Sequence, residues 1–242
     1  MKKQNSKNRT QKPSPLGKVG LGLKICGQKQ NIEEVAALKP DYLGFIFWEP
    51  SPRHFDIEMP ELASNTRKVG VFVDALLEDV LQKVKKYHLD AIQLHGNETP
   101  EYSKELAKLL DLQVFENLKA PHSKPEIIKV FSIKDTFDFS ILKAYENACD
   151  FFLFDTKGKL PGGNGYTFNW EVLKKYPSDK PYFLSGGIGL ENVQAIASFL
   201  RAQESEHCYA IDINSKFEIE PGLKDMEKIK EFKKLLENEL SR

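Results

Sequence analysis

The stretch PYFLSGGIGLENVQAIASFLRAQESEHCYAIDINS, residues 181–215, decides the fold. It opens with a short apolar run at 182–184, bounded by Pro181 and the turn Ser185-Gly186-Gly187, which reads as a buried strand. Residues 191–200 then carry apolar side chains at spacings of three and four, the period of a helix packed along one face. A second β-branched and aromatic run at 209–213 ends in another polar turn, Asp212-Ile213-Asn214-Ser215. Strand, helix and strand in this order make a βα repeat of the kind that builds parallel sheets.

The same alternation runs back to Val19. Candidate strands are 19–26, 42–47, 69–73, 91–94, 127–131, 151–154, 182–184 and 209–213, eight in all. Their β-branched and aromatic content, with little polar alternation, suits strands covered on both faces. Between them, Asn31 precedes Glu33 and Glu34 as a helix start, and 138–145 has helical spacing. Met226, Ile229, Phe232, Leu235 and Leu236 form one apolar stripe in a final helix over 225–240. Eight strands also fit a doubly wound open sheet, but that fold announces its nucleotide site by G-x-G-x-x-G after the first strand. Here the first strand ends Lys24-Ile25-Cys26-Gly27-Gln28. The expected fold is α/β, a single-domain closed (β/α)8 or TIM barrel over 19–242, and a chain of 242 residues has the length for it.

Composition narrows the function. Thirty-five basic and 35 acidic residues give zero net charge, so no nucleic-acid or membrane partner is expected. Residues 1–30 hold eight Lys and Arg and no acid, and 1–18 read as a basic disordered leader, with a weak anionic contact as the alternative. No apolar run follows that would make it a secretory signal or a membrane span. Three scattered cysteines, Cys26, Cys149 and Cys208, argue for a reducing compartment, and a cytoplasmic location is expected. Residues 112–125 are too long for an ordinary connection and suggest an insertion with a short strand at 113–115.

In a barrel of this type, chemistry gathers at the C-terminal ends of the strands. The residues there are Cys26, Ser51 to Arg53, Asp74, His95, Asp155, Gly186 and Gly187, and Asp212 to Ser215. Paired glycines let the backbone approach a ligand, and the turns after strands seven and eight are where this fold commonly holds phosphate. Asp155 is a possible general acid or a loop cap. Cys26 is a small buried hydrophobe, as Cys149 and Cys208 are expected to be, or a base whose thiolate lies within reach of neutral pH. Arg53 is a surface residue or a fork for a carboxylate or phosphate. The glycine-rich run LPGGNG at 160–165 is a linker or a closing loop. Only His95 among five histidines lies at a strand end, so no metal site and no cofactor are expected.

These motifs, taken together and in order, resemble those of the phosphoribosylanthranilate isomerases of tryptophan biosynthesis. The matching pieces are LKICG at 23–27, GFIF and SPR at 44–47 and 51–53, VGVFV at 69–73 and QLHG at 93–96. FDTKG, PGGNG and FNW at 154–158, 161–165 and 168–170 follow, then SGGI at 185–188, DINS at 212–215 and the later Pro221-Gly222-x-Lys224-Asp225. The resemblance implies an Amadori rearrangement of one small molecule, with Asp155 as general acid and Cys26 as general base. It further implies that Arg53 holds the anthranilate carboxylate, that Gly186, Gly187, Asp212, Asn214 and Ser215 hold the phosphate, and that His95 and Gly163 contribute to substrate binding. The chain departs from the usual pattern at Asn164, where threonine is common, and at Lys216, where glycine is common. A monomer or homodimer is expected. The alternatives are another phosphosugar barrel, such as an epimerase with metal-binding histidines, and a non-catalytic barrel that binds a phosphorylated ligand.

Overall fold

The computed structural model describes residues 21–62, 66–112, 124–134, 136–156, 169–202 and 205–242. Eight parallel strands close a barrel in chain order: β1 (Gly22–Ile25), β2 (Tyr42–Ile46), β3 (Arg67–Phe72), β4 (Ala91–Leu94), β5 (Glu126–Ile133), β6 (Phe151–Thr156), β7 (Tyr182–Leu184) and β8 (Cys208–Ile213). Closure is made by β1, which pairs Lys24 with Tyr42 of β2 and with Asp212 of β8. Helices α1 (Ile32–Ala37), α2 (Leu77–Tyr87), α3 (Pro100–Leu112), α4 (Val193–Arg201) and α5 (Met226–Leu240) follow β1, β3, β4, β7 and β8. Beyond β8 the chain also makes an antiparallel hairpin, β9 (Glu218–Glu220) with β10 (Leu223–Lys224).

Alternation along each strand sorts the core into two clusters. Leu23, Ile25, Leu43, Phe45, Phe152, Phe154, Leu184 and Ile211 face outward and pack with Val35, Ile196, Phe232 and other helix residues. Tyr42, Val69, Ala91, Ile128, Phe151, Leu153, Phe183 and Ala210 face inward and fill the barrel itself, the layered interior expected of this fold. The inward positions of β1 and β8 above that apolar floor are polar: Lys24, fully buried, and Asp212, 5% exposed. The barrel is therefore apolar toward its N-terminal end and charged toward the end where strands deliver their last residues.

All eight expected strands are present within the described residues, with shifted ends. β5 runs on to Ile133, and β6 includes Asp155 and Thr156, so Asp155 is held by strand pairing to Ser132 and not by a loose loop. Other local expectations are corrected. Asn31 makes no side-chain cap to α1. Its amide instead donates to Lys224 O at 2.9 Å and accepts from Lys224 N at 2.9 Å, pinning β10 across the mouth of β1. The segments after β5 and β6 are tighter 3-10 turns, Phe139–Ala144 and Trp170–Lys175, capped by Asp138 and Asn169. In α5 the buried stripe is Ile229, Phe232 and Leu236, while Leu235 points to solvent. The leader (1–18), the proposed strand at 113–115 and the glycine-rich run at 160–165 with Gly163 lie outside the described residues.

Candidate active site

Cys26 is the first residue after β1, and its N–H donates to Ile213 O of β8 at 2.9 Å. Its side chain is possible only because β2 carries Gly44 opposite: a Cβ at Gly44 would lie 2.7 Å from the Cys26 sulfur. The next residue, Gly27, has φ +74°, and a Cβ there would meet Asn214 Oδ1 at 2.6 Å and Arg53 Cδ at 2.8 Å. The two glycines make room for the thiol and for the close crossing of three strand ends.

Asp155 leaves β6 with its Oδ1 accepting the Thr156 N–H at 2.8 Å and its Oδ2 3.3 Å from His95 Nε2. The His95 approach is too poorly aligned to be a hydrogen bond, so Nε2 is a buried polar atom without a partner. Gln93, two residues earlier on β4, sets its amide nitrogen 3.3 Å from His95 Nδ1. With that amide as donor, Nδ1 accepts.

A cavity at this end of the barrel is lined by Asp155, by Ser185 to Ile188 after β7, and by Asp212, Asn214 and Ser215 at the end of β8. Gly186 and Gly187 both have positive φ, +91° and +63°, and Gly186 packs against Thr156 so closely that a side chain has no space. Ser185 N–H is held by Phe154 O at 2.9 Å, and no backbone carbonyl among the described residues takes the N–H groups of Gly186 and Gly187. Free backbone N–H groups on a glycine turn that lines a cavity can serve as an anion cradle.

Several charged residues complete the site that strand-end reading did not single out. Lys24 Nζ donates to Asp212 Oδ1 at 2.9 Å, and Ser185 Oγ donates to Asp212 Oδ2 at 3.3 Å. Burial pushes the Asp212 carboxyl up against the pull of Lys24, while Asp212 and Cys26 together hold the Lys24 ammonium above its ordinary value despite burial. Taking both ions out of water costs several kcal/mol each, so such a pair stabilises a fold no better than apolar residues of equal size. Asp212 is thus an ion-pair partner at the floor of the cradle, a carboxylate where the sequence suggested an anion contact.

Arg53 grips Glu218 of β9 with Nε and Nη2 at 2.9 and 2.6 Å. Lys224 of β10 donates to the same carboxylate at 2.8 Å and to Asn214 Oδ1 at 2.9 Å. Burial alone would raise the Glu218 carboxyl, but Arg53 and Lys224 hold it below the usual range. Lys216, where the resemblance has glycine, pairs with Glu191 at 2.8 Å on the outside. Asp74, also at a strand end, is occupied by Asn97 N–H at 2.6 Å and belongs to the turn after β4. Cys26 and Asp155 are therefore delivered to the same end of the barrel, where Asp212 accepts from Lys24 and from Ser185 beside the cradle. Cys26 is not itself among the residues lining the cavity. No cluster of three or more metal-binding side chains occurs among the described residues.

Residues 23–235 match the family model of N-(5'-phosphoribosyl)anthranilate (PRA) isomerase. The chain is 41% identical over 218 residues to the N-(5'-phosphoribosyl)anthranilate isomerase of Parabacteroides distasonis, which covers 87% of this chain and 90% of the relative. It is 37% identical over 205 residues to that of Phocaeicola vulgatus, covering 84% of this chain and 91% of the relative. Among solved structures, the phosphoribosyl anthranilate isomerase of Thermus thermophilus superposes with a TM-score of 0.69 at 25% identity, over 91% of this chain and 98% of that one.

Proposed function

Because this chain belongs to the N-(5'-phosphoribosyl)anthranilate isomerase family, we propose that Cys26 and Asp155 are the base and the acid of its reaction. The enzyme converts N-(5'-phosphoribosyl)anthranilate to 1-(2-carboxyphenylamino)-1-deoxyribulose 5-phosphate, a step of tryptophan biosynthesis. The net change is a hydrogen shift within one molecule, so two side chains that give and take a proton are sufficient.

The observation that carries the reading is the sharing of one cavity by the Asp155 carboxyl and the glycine cradle. With the substrate phosphate at Gly186, Gly187 and Ser215, the sugar extends toward the strand ends that carry Asp155 and Cys26. Asp155 donates a proton to the ring oxygen. The bond from that oxygen to the anomeric carbon breaks, and the nitrogen lone pair forms the Schiff base. The Cys26 thiolate then takes the proton from the neighbouring sugar carbon, whose electrons form the enolamine double bond. Tautomerisation to the ketone returns a proton to the former anomeric carbon and completes the isomerisation. General acid–base catalysis of this kind contributes about 10²–10⁴ per group. His95 lies 3.3 Å from the Asp155 carboxylate, Asp212 pairs with Lys24, and Asn214 accepts from Lys224.

Arg53 binds the anthranilate carboxylate in this reading, with Glu218 fixing the plane of its guanidinium. Arg53→Ala is expected to raise KM about ten- to a hundredfold, the value of one charged hydrogen bond, with a smaller change in kcat. An unchanged KM in steady-state kinetics would remove that contact. Chelators are expected to leave the rate unaltered because no step calls on a metal; strong inhibition by EDTA would favour an epimerase-like mechanism instead. A cytoplasmic location goes with the three free, buried cysteines. The direct test of the function is a fluorescence assay for consumption of phosphoribosylanthranilate by the purified chain, and no consumption at micromolar enzyme would refute it.

A further inference from the structure

Lys24 has no role in the chemistry assigned above, yet it is fully buried and lies two residues before Cys26 on the same inward face of the first strand. The neighbouring strands fill their inward positions with Tyr42, Val69, Ala91 and Ala210. In β1 an ammonium stands there instead, 2.9 Å from Asp212 and on the same face of the strand as the thiol.

We infer that Lys24 is a positioning residue that sets a positive charge against the Cys26 sulfur and stabilises its thiolate, an inference that rests on Cys26 being the base. Geometry leaves the ammonium little choice. Asp212 of β8 anchors it on one side, Tyr42 of β2 pairs with it on the other, and the thiol is the next inward side chain on its own strand. The other charges around Cys26 come from β8 (Asp212), from β10 (Lys224, tied to Asn214 and Glu218) and from the loop after β2 (Arg53, tied to Glu218). The facing strand β2 offers only Gly44. Burial is the largest influence and leaves the thiol above its ordinary value, contrary to the thiolate near neutral pH expected from sequence; Lys24 is the strongest influence drawing it back down, Asp212 opposes more weakly, and Lys224 helps less. Asp212 also accepts from Ser185, beside the glycine cradle, so the same pair ties the thiol to the phosphate turn.

The test measures the thiol without relying on turnover. Alkylation of Cys26 by iodoacetamide is followed against pH, residue by residue, by mass spectrometry in the full chain. In Lys24→Met the pH midpoint for Cys26 is expected to rise by about one unit or more, so that alkylation at neutral pH slows about tenfold, while Cys149 is unaffected. kcat is expected to fall about ten- to a hundredfold at neutral pH with KM within about twofold, and to recover as pH rises. Since Lys24→Met leaves the Asp212 carboxylate without its ammonium and endangers folding, the neutral double variant Lys24→Met/Asp212→Asn is measured beside it, with a smaller upward shift expected because Asp212, which also pushes the thiol up, is neutralised as well. A Cys26 midpoint equal to that of the parent in the folded variant overturns the inference. Full activity of Cys26→Ala would instead overturn the assignment of the base, so the two failures are distinguishable.

Discussion

Asp155→Asn is expected to lower kcat by about three to four orders of magnitude, the upper range for loss of a general acid, with KM changed by no more than a few fold. The amide has the size of the carboxyl but no acidic proton, so ring opening loses its donor while the phosphate cradle stays intact. Folding is expected to survive. The Asn Oδ1 still accepts the Thr156 N–H that Asp155 accepts now, and β6 remains paired to both neighbours. Removing this carboxylate also relieves its neighbour, because Asp155 helps raise the Asp212 carboxyl. A circular-dichroism melt near that of the parent, with activity reduced only a few fold, would mean that another group supplies the proton.

Cys26→Ala is expected to be equally severe, about 10³–10⁴ in kcat, because no second base stands at the end of β1 to take the carbon-bound proton. The structural consequence is small by comparison. The sulfur fills the notch opposite Gly44, and its loss leaves a cavity smaller than a methyl group or two, costing on the order of 1 kcal/mol. Activity and stability should therefore separate cleanly in this variant. A Cys26→Ala protein that melts like the parent but turns over at more than a tenth of its rate would show the thiol to be packing.

The barrel was legible because its signal is local. Residues 182–184 and 91–94 are bounded by turns and appear as strands of those limits, and the positions of Cys26 and Gly186 follow from where β1 and β7 stop, whereas β6 runs on through Asp155. What escaped was the long-range assembly. Lys24 and Asp212 are 188 residues apart, Arg53 and Glu218 are 165 apart, and neither pair leaves a spacing pattern. One cue was available in the alternation itself: Lys24 interrupts an otherwise apolar strand at a position of the same parity as Cys26, which turns it inward. Asn31 misled for a related reason. Its sequence context is that of a helix cap, but β10 competes for the same amide and takes it on both sides. Leu235 fell at helical spacing with the buried stripe, yet Ile229, Phe232 and Leu236 already fill the narrow contact with the barrel.

Proton transfer by Cys26 and Asp155 in one reaction, as proposed, makes a quantitative demand on their joint removal. The measurement is kcat/KM for phosphoribosylanthranilate in the parent, Cys26→Ala, Asp155→Asn and the double variant, each verified as folded. If the thiol and the carboxyl serve consecutive steps of one rearrangement, the double variant is no more than about tenfold worse than the more damaged single variant. If either single variant stays within about tenfold of the parent, or the two losses multiply in full, the assignment of base and acid is contradicted.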